Sequence, residues 1–125
     1  MADGPTALLV GQNLFFMGRV EALAQARGLD LLRANDADAF WRHFNRRKPV
    51  LLLIDLEGEE SVWASVLEGV LEAREGVKVV AFGHHQDLAA LDRARSLGCD
   101  LVLNKGEFNR DLPGIFGEID AGDAG

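Results

Sequence analysis

Asp55 is the residue best placed to take part in chemistry, because it comes directly after an apolar run, Val50–Ile54. Such a run is typical of a strand that is buried on both faces of a parallel sheet. In an open parallel sheet, ligands bind just past the carboxyl ends of the strands. Lys105 follows another apolar stretch, Leu101–Leu103, after one intervening residue. A carboxylate and an ammonium group that face each other form an ion pair, and we predict this structural role for Asp55 and Lys105.

The other reactive side chains form no recognisable catalytic or metal-binding set. His84, His85 and Asp87 are close in sequence, but adjacent histidines point to opposite sides of an extended chain, and zinc needs three or four converging ligands. Cys99 has no evident basic environment that would activate its thiol. Residues 11–13 contain one glycine, too few for a dinucleotide-binding loop. We therefore expect no enzymatic activity, no catalytic residue and no metal site.

Strand-like and helix-like segments alternate five times along the chain. This alternation predicts an α/β fold with a five-stranded parallel sheet between two layers of helices, in the flavodoxin-like order 2-1-3-4-5. We expect one domain over residues 1–125, with a core at 6–119 and a frayed tail at 120–125. The strands are predicted at 7–10, 29–32, 50–55, 77–82 and 101–103, and the helices at 14–27, from Asp36 or Asp38 to Pro49, 61–75, 87–98 and 108–119.

Several helix ends carry recognisable signals. Asn13 and Asp87 are predicted N-caps, and Gly28 and Gly98 are predicted C-caps. The last helix is predicted to be poor, because Pro113-Gly114 and Gly117 interrupt it.

The strand order brings the carboxyl ends of strands one, three, four and five to one edge. A shallow pocket is predicted there, with Asp55 at its centre. Its predicted members are Gly11, Gln12, Asn13, Asp55, Glu57, Gly83, His84 and Lys105.

Five motifs in register resemble the receiver domain of bacterial response regulators, the CheY-like family, over nearly the whole chain. The segment Leu53–Leu56 resembles the phosphoacceptor strand, with Asp55 as the acceptor. Gly83 stands 28 residues later, where the family has Thr or Ser, and Lys105 stands 22 residues after that, where the family has its lysine. The other matching segments are Leu9–Asn13, Ala94–Asp100 and Leu103–Gly106.

The chain differs from this family at the positions whose side chains take part in phosphorylation. Gly11 and Gln12 occupy the positions of the acidic pair, and Gly83 the position of the hydroxyl. Val102 stands where the family often has an aromatic ring, and Gly106 where it has proline. Magnesium needs hard oxygen ligands, usually including a carboxylate or two, so we expect Mg²⁺ binding to be weak or absent and no cofactor to be present. The resemblance therefore implies a degenerate pseudo-receiver.

Two alternatives stay open at this point. One is a working receiver that is phosphorylated on Asp55, with Glu57 lending a carboxylate to a makeshift metal site. The other is a small-molecule sensor that binds at the neutralised pocket through Gln12, Asn13, Asp55, His84 and Lys105.

Composition restricts the class of partner. The formal net charge is −7, which argues against a nucleic-acid surface. The chain has no apolar run of the length of a membrane span and no signal peptide, and its single cysteine fits a reducing compartment, so we expect a cytoplasmic location.

The resemblance implies a stand-alone signalling module of two-component type that binds a protein partner or a second copy of itself. The expected interaction face consists of the fourth helix, fifth strand and fifth helix. Its predicted residues are Leu88, Arg93, Arg95, Val102 and Phe108.

Overall fold

The computed structural model describes residues 4–11, 16–72 and 76–119. Five parallel strands form one sheet in the order β2-β1-β3-β4-β5, as predicted. The strands are β1 (Thr6–Val10), β2 (Asp30–Ala34), β3 (Leu51–Asp55), β4 (Lys78–Gly83) and β5 (Leu101–Asn104). The helices are α1 (Met17–Ala26), α2 (Ala37–Arg47), α3 (Glu60–Glu72), α4 (Leu88–Leu97) and α5 (Lys105–Gly117). This is the α/β flavodoxin-like architecture that the alternating pattern indicated.

The central strands β1 and β3 are buried on both faces, and successive side chains serve two separate cores. Leu52 and Ile54 belong to the core beneath α2, α3 and α4. Leu51 and Leu53 belong to the core beneath α1 and α5. A strand between two helical layers needs apolar residues at every position, which explains the unbroken run before Asp55.

Two helices begin at an aspartate whose side chain accepts a backbone hydrogen bond. Asp36 accepts from the N–H of Ala39 at 2.7 Å, and Asp87 accepts from the N–H of Ala90 at 3.1 Å. Helix α4 ends at Gly98, which adopts the left-handed conformation with φ 104°. The predicted cap at Asn13 lies outside the described residues.

The last helix is better formed than predicted, because it begins at Lys105 rather than Phe108. Its start is a capping box: the side chain of Asn104 accepts from the N–H of Glu107 at 2.8 Å, and the Glu107 carboxylate accepts from the N–H of Asn104 at 2.9 Å. The sequence shows this capping box as the pattern Asn-x-x-Glu at residues 104–107. Because α5 begins here, Lys105 lies in the first turn of the helix rather than in a loop.

Pro113 lies inside α5 without ending it. A proline has no N–H, so the carbonyl of Asn109, four residues earlier, loses its helical donor. Arg19 of α1 donates to that carbonyl and to the Asn109 side chain. Arg27, after α1, donates to the carbonyl of Ile119 at 2.8 Å, just past the end of α5. Arg19 of α1 thus satisfies a carbonyl that α5 leaves open, and Arg27 satisfies one just after α5.

No helix in the described ranges is long and apolar enough to cross a membrane.

Candidate functional site

Asp55 is the last residue of β3 and is 5% exposed. Its Oδ1 accepts a hydrogen bond from the backbone N–H of Glu57 at 2.9 Å. Neither a hydrogen bond nor an ion pair engages its Oδ2 among the described residues. The carboxyl group is thus held in one orientation, with one oxygen free.

Burial raises the pKa of Asp55 to about 6, and the positive charge of Lys105 offsets part of this rise. The charged carboxylate is therefore costly at this position. Full stabilisation of the charge would require a cation or several donors in contact with it.

Lys105 forms its ion pair with Glu57, so the predicted pair between Asp55 and Lys105 is wrong. The reason is geometric. Lys105 starts α5, and Glu57 lies on the loop after β3, so their side chains meet above the strand ends at partly exposed positions. Asp55 is deeper, and Lys105 acts on it through space without contact at ion-pair distance.

Gly11 lies directly against Asp55 at the end of β1. A Cβ on Gly11 would stand 2.6 Å from the Cβ of Asp55 and 3.3 Å from its Oδ2, and the glycine has φ 135°, a conformation that L side chains rarely adopt. The position that an acidic residue occupies in receiver domains is closed to any side chain with this backbone.

Gly83 is packed beneath the loop that follows β3. A Cβ there would meet the Cβ of Leu56 at 3.2 Å and Cδ2 of Leu91 at 3.6 Å. A serine or threonine at this position would require Leu56 to shift by a few tenths of an ångström. Gly83 and His84 do not border the cleft at Asp55, and His84 borders a separate, smaller pocket.

The two histidines are stacked rather than opposed, which corrects the sequence-based expectation. Their ring centroids are 4.6 Å apart with an interplanar angle of 22°, and Nδ1 of His84 accepts from the N–H of Gln86 at 3.1 Å. The chain turns here instead of continuing as an extended strand, so both rings lie on one side.

A cleft of about 760 Å³ opens beside Asp55, between the ends of β1, β2 and β3 and the starts of α2, α3 and α5. It contains the predicted residues Gly11, Asp55, Glu57 and Lys105. Gln12 and Asn13 lie outside the described residues. Sequence reasoning missed several members of the lining: Asn35, Asp36, Glu59, Val62 and Trp63.

The sequence indicates that some of these missed residues lie at the cleft, but it does not indicate this for others. Asn35 and Asp36 directly follow β2, and parallel strands end at a common edge of the sheet, so their position was predictable. Trp63 is 2% exposed and belongs to the core beneath α2, α3 and α4. Trp63 also lines the cleft, and this position depends on how α3 packs on the sheet.

The described residues do not fit the magnesium ion that receiver domains hold. No three side chains of His, Cys, Asp or Glu within the described ranges come close enough to share a metal ion. Gly11 offers no side-chain oxygen, and Asp55 contributes a single carboxylate whose charge is disfavoured by burial.

The predicted interaction face is partly wrong. Phe108 is fully buried, and its ring stacks on Phe82 at a centroid distance of 4.0 Å, so it belongs to the core. Arg93 pairs with Glu60 of α3 at 3.0 Å, so its guanidinium group is engaged by a neighbouring helix. Leu88 is 64% exposed. Arg95 is exposed and Val102 is half-buried.

No known family model matches the sequence, and no curated protein matches it significantly. Solved structures do match the fold. The receiver domain of NtrX from Brucella abortus is 20% identical, with a TM-score of 0.72 over 94% of this chain and 99% of that one. A response regulator receiver domain protein from Clostridium thermocellum is 16% identical, with a TM-score of 0.72 over 90% and 91%. A CheY-like receiver domain protein from Methanospirillum hungatei is 15% identical, with a TM-score of 0.71 over 93% and 96%. The chain has the fold of response regulator receiver domains.

Proposed function

We propose that this protein is a stand-alone pseudo-receiver, a regulatory module of two-component type that works through protein contacts and without phosphorylation. Its fold is that of receiver domains, which are signalling modules rather than enzymes. The proposal is supported by one observation above all: within the described residues, neither position 11 nor position 83 offers a carboxylate or a hydroxyl for phosphoryl transfer to Asp55.

Phosphoryl transfer depends on positioning and on neutralising the charge of the transferred group. Gly11 supplies no carboxylate for a metal ion, and its space is closed by Asp55. Gly83 supplies no hydroxyl. Lys105 is already paired with Glu57. We therefore expect Mg²⁺ to bind weakly or not at all, and Asp55 to stay unmodified.

Intact-protein mass spectrometry after incubation with acetyl phosphate and Mg²⁺ tests this proposal. A receiver domain with a complete acidic pair, treated in parallel, shows that the reagents work. We expect no added phosphoryl mass on the wild-type protein. A mass gain that disappears in Asp55→Asn would instead identify a working receiver, the principal rival function.

Gly11→Asp provides a sharper version of the same test. If the missing acidic residue were the only defect, this substitution would restore labelling. We expect it to fail, because the added side chain has no room beside Asp55 and the backbone conformation at Gly11 is unfavourable for it. Circular dichroism and the unfolding midpoint show whether the variant is folded. Labelling of a folded variant would show instead that the missing acidic side chain is the only defect, and it would contradict the conclusion that position 11 is closed to a side chain.

The surface formed by α4 and β5 is the proposed contact region for a protein partner or a second copy of the chain. Leu88 is the large apolar side chain that is exposed among the described residues, and the exposed Arg95 lies on the same helix. Sedimentation velocity across a concentration series, with pull-down from the native host, would compare wild type with Leu88→Glu.

Ser65→Glu is the matched control, because it places the same charge at an exposed position on α3. We expect Leu88→Glu to weaken self-association or partner capture and Ser65→Glu to leave both unchanged. A protein that stays monomeric at every concentration and recovers no partner would contradict an interaction role.

The remaining parts of the proposal follow from composition. A net charge of −7 disfavours binding to nucleic acid, and a single cysteine suits a reducing compartment, which supports a cytoplasmic location.

A second candidate function, a small-molecule sensor, is favoured by one observation, the cleft beside Asp55.

A further inference from the structure

We propose that the cleft beside Asp55 binds a small organic cation that carries an ammonium group and a hydrogen-bond acceptor. This inference goes beyond the pseudo-receiver function, which assigns the cleft no ligand. It concerns an organic molecule rather than the metal ion that the fold suggests.

The charge of the cleft is the first argument. Four carboxylates line it, from Asp36, Asp55, Glu57 and Glu59, against the single ammonium of Lys105. That ammonium is already paired with Glu57. Three carboxylates therefore remain without a cation among the described lining residues, and an acidic concave surface attracts positive ligands.

The second argument is the free oxygen of Asp55. Although the residue is 5% exposed, its Oδ2 has no hydrogen bond or ion pair within the described part of the chain. Gly11 has no side chain, and a Cβ there would lie 3.3 Å from this oxygen. Because Gly11 carries no side chain, it does not cover Oδ2, and Asp55 borders the cleft, from which a ligand ammonium can approach that oxygen.

Trp63 supplies an independent argument. It forms part of the cleft wall and is 2% exposed, and its indole Nε1–H is buried without an acceptor in the ranges the structure describes. Buried N–H groups without an acceptor are rare because they cost free energy. Nε1 itself is buried behind the wall, so a ligand oxygen would reach it by displacing wall atoms and would then give the indole its partner. The proposed ligand therefore has an acceptor as well as a charge.

The arrangement of the carboxylates favours an organic cation over a metal ion. A metal ion needs ligands that converge on one point, and no three candidate ligands do so within the described ranges. The carboxylates are instead distributed around a cleft of about 760 Å³, within the size range of small-molecule sites. An ammonium-bearing molecule can contact separated oxygens with separate groups.

Isothermal titration calorimetry with three probes at low ionic strength tests the proposal. L-Lysinamide has two ammonium groups and an amide carbonyl, 1,5-diaminopentane has the ammonium groups alone, and hexanamide has the amide alone. We expect saturable binding of lysinamide, binding of the diamine that is about threefold to tenfold weaker because Trp63 stays without an acceptor, and no binding of hexanamide. Added NaCl should weaken binding.

Variants locate the site. Asp55→Asn should weaken lysinamide binding at least about tenfold, and Glu59→Gln about threefold, because each removes one carboxylate charge from the cleft. Glu68→Gln, at an exposed position of α3 outside the cleft, is the matched control and should change the affinity less than about twofold. Two-dimensional NMR spectra show whether each variant is folded.

Three outcomes would overturn the proposal. They are the absence of saturable lysinamide binding to the folded wild type, equal weakening by Glu59→Gln and Glu68→Gln, and binding that Asp55→Asn leaves unchanged. None of them depends on acetyl phosphate labelling, so a failed ligand test leaves the pseudo-receiver proposal standing, and the reverse also holds.

Discussion

Replacing Asp55 by asparagine should stabilise the protein above neutral pH. The carboxyl group is 5% exposed, and burial raises its pKa from 3.8 to about 6, even with Lys105 nearby. Because the folded-state pKa lies above the unfolded one, ionisation of Asp55 favours the unfolded state. The stabilising contribution of the neutral form is complete below about pH 4 and is lost as the pH rises through 6.

The expected difference in the free energy of unfolding follows from the size of the pKa shift of Asp55. A rise of about 2 pKa units corresponds to about 3 kcal/mol, since one unit is worth about 1.4 kcal/mol. Asparagine has nearly the same shape, keeps an oxygen for the Glu57 N–H and carries no charge. We therefore expect Asp55→Asn to be more stable than wild type by up to about 3 kcal/mol at pH 8, and by less than about 1 kcal/mol at pH 4.

Urea unfolding of both proteins at pH 4, 6 and 8 measures this difference, and the ¹³Cγ shift of Asp55 followed by NMR gives the pKa directly. Asp92→Asn is the control, because Asp92 is exposed and pairs with Arg95, so the change should stay within about 0.5 kcal/mol. A difference between wild type and Asp55→Asn that does not grow with pH would refute the reasoning, as would an Asp55 pKa below 4.

Three further substitutions probe the neighbouring structure. Glu57→Gln removes the partner of Lys105 and frees that ammonium for Asp55, so the pKa of Asp55 should fall in the same NMR titration; an unchanged pKa would show that Lys105 cannot reach it. Asn104→Ala removes one half of a capping box and should lower the free energy of unfolding by about 1 kcal/mol in urea, whereas no loss would place the start of α5 elsewhere. Phe108→Ala empties a fully buried position and should cost about 3–5 kcal/mol or prevent folding; a cost below about 1 kcal/mol would argue for the exposed position that the sequence suggested.

Local features of the sequence predicted much of the fold correctly. The apolar run before Asp55 indicated a strand covered on both faces, and β3 has apolar contacts in both cores. The aspartates at 36 and 87 predicted helix starts because a cap needs only the backbone three residues ahead. The glycine at 98 predicted a helix end for a similar local reason.

Predictions that depended on packing between distant segments were less successful. Pro113 was expected to disrupt the last helix, and nothing near it in sequence indicates that Arg19, on a different helix, donates to the carbonyl left open. Phe108 was predicted to lie on the interaction face, at the start of the last helix. With α5 beginning at Lys105, the same residue turns inward and stacks on Phe82.

The sequence by itself determined the order of strands and helices, the edge at which Asp55, Glu57 and Lys105 would gather, and the absence of acidic and hydroxyl side chains at positions 11 and 83. These conclusions depend on residue type, periodicity and strand order, which are all local or topological. Only the tertiary structure decided which carboxylate pairs with Lys105, because the choice between Asp55 and Glu57 turns on the depth of one side chain and the path of one loop. It also decided that Gly11 leaves no room for a restored acid, since that contact joins two strands far apart in sequence.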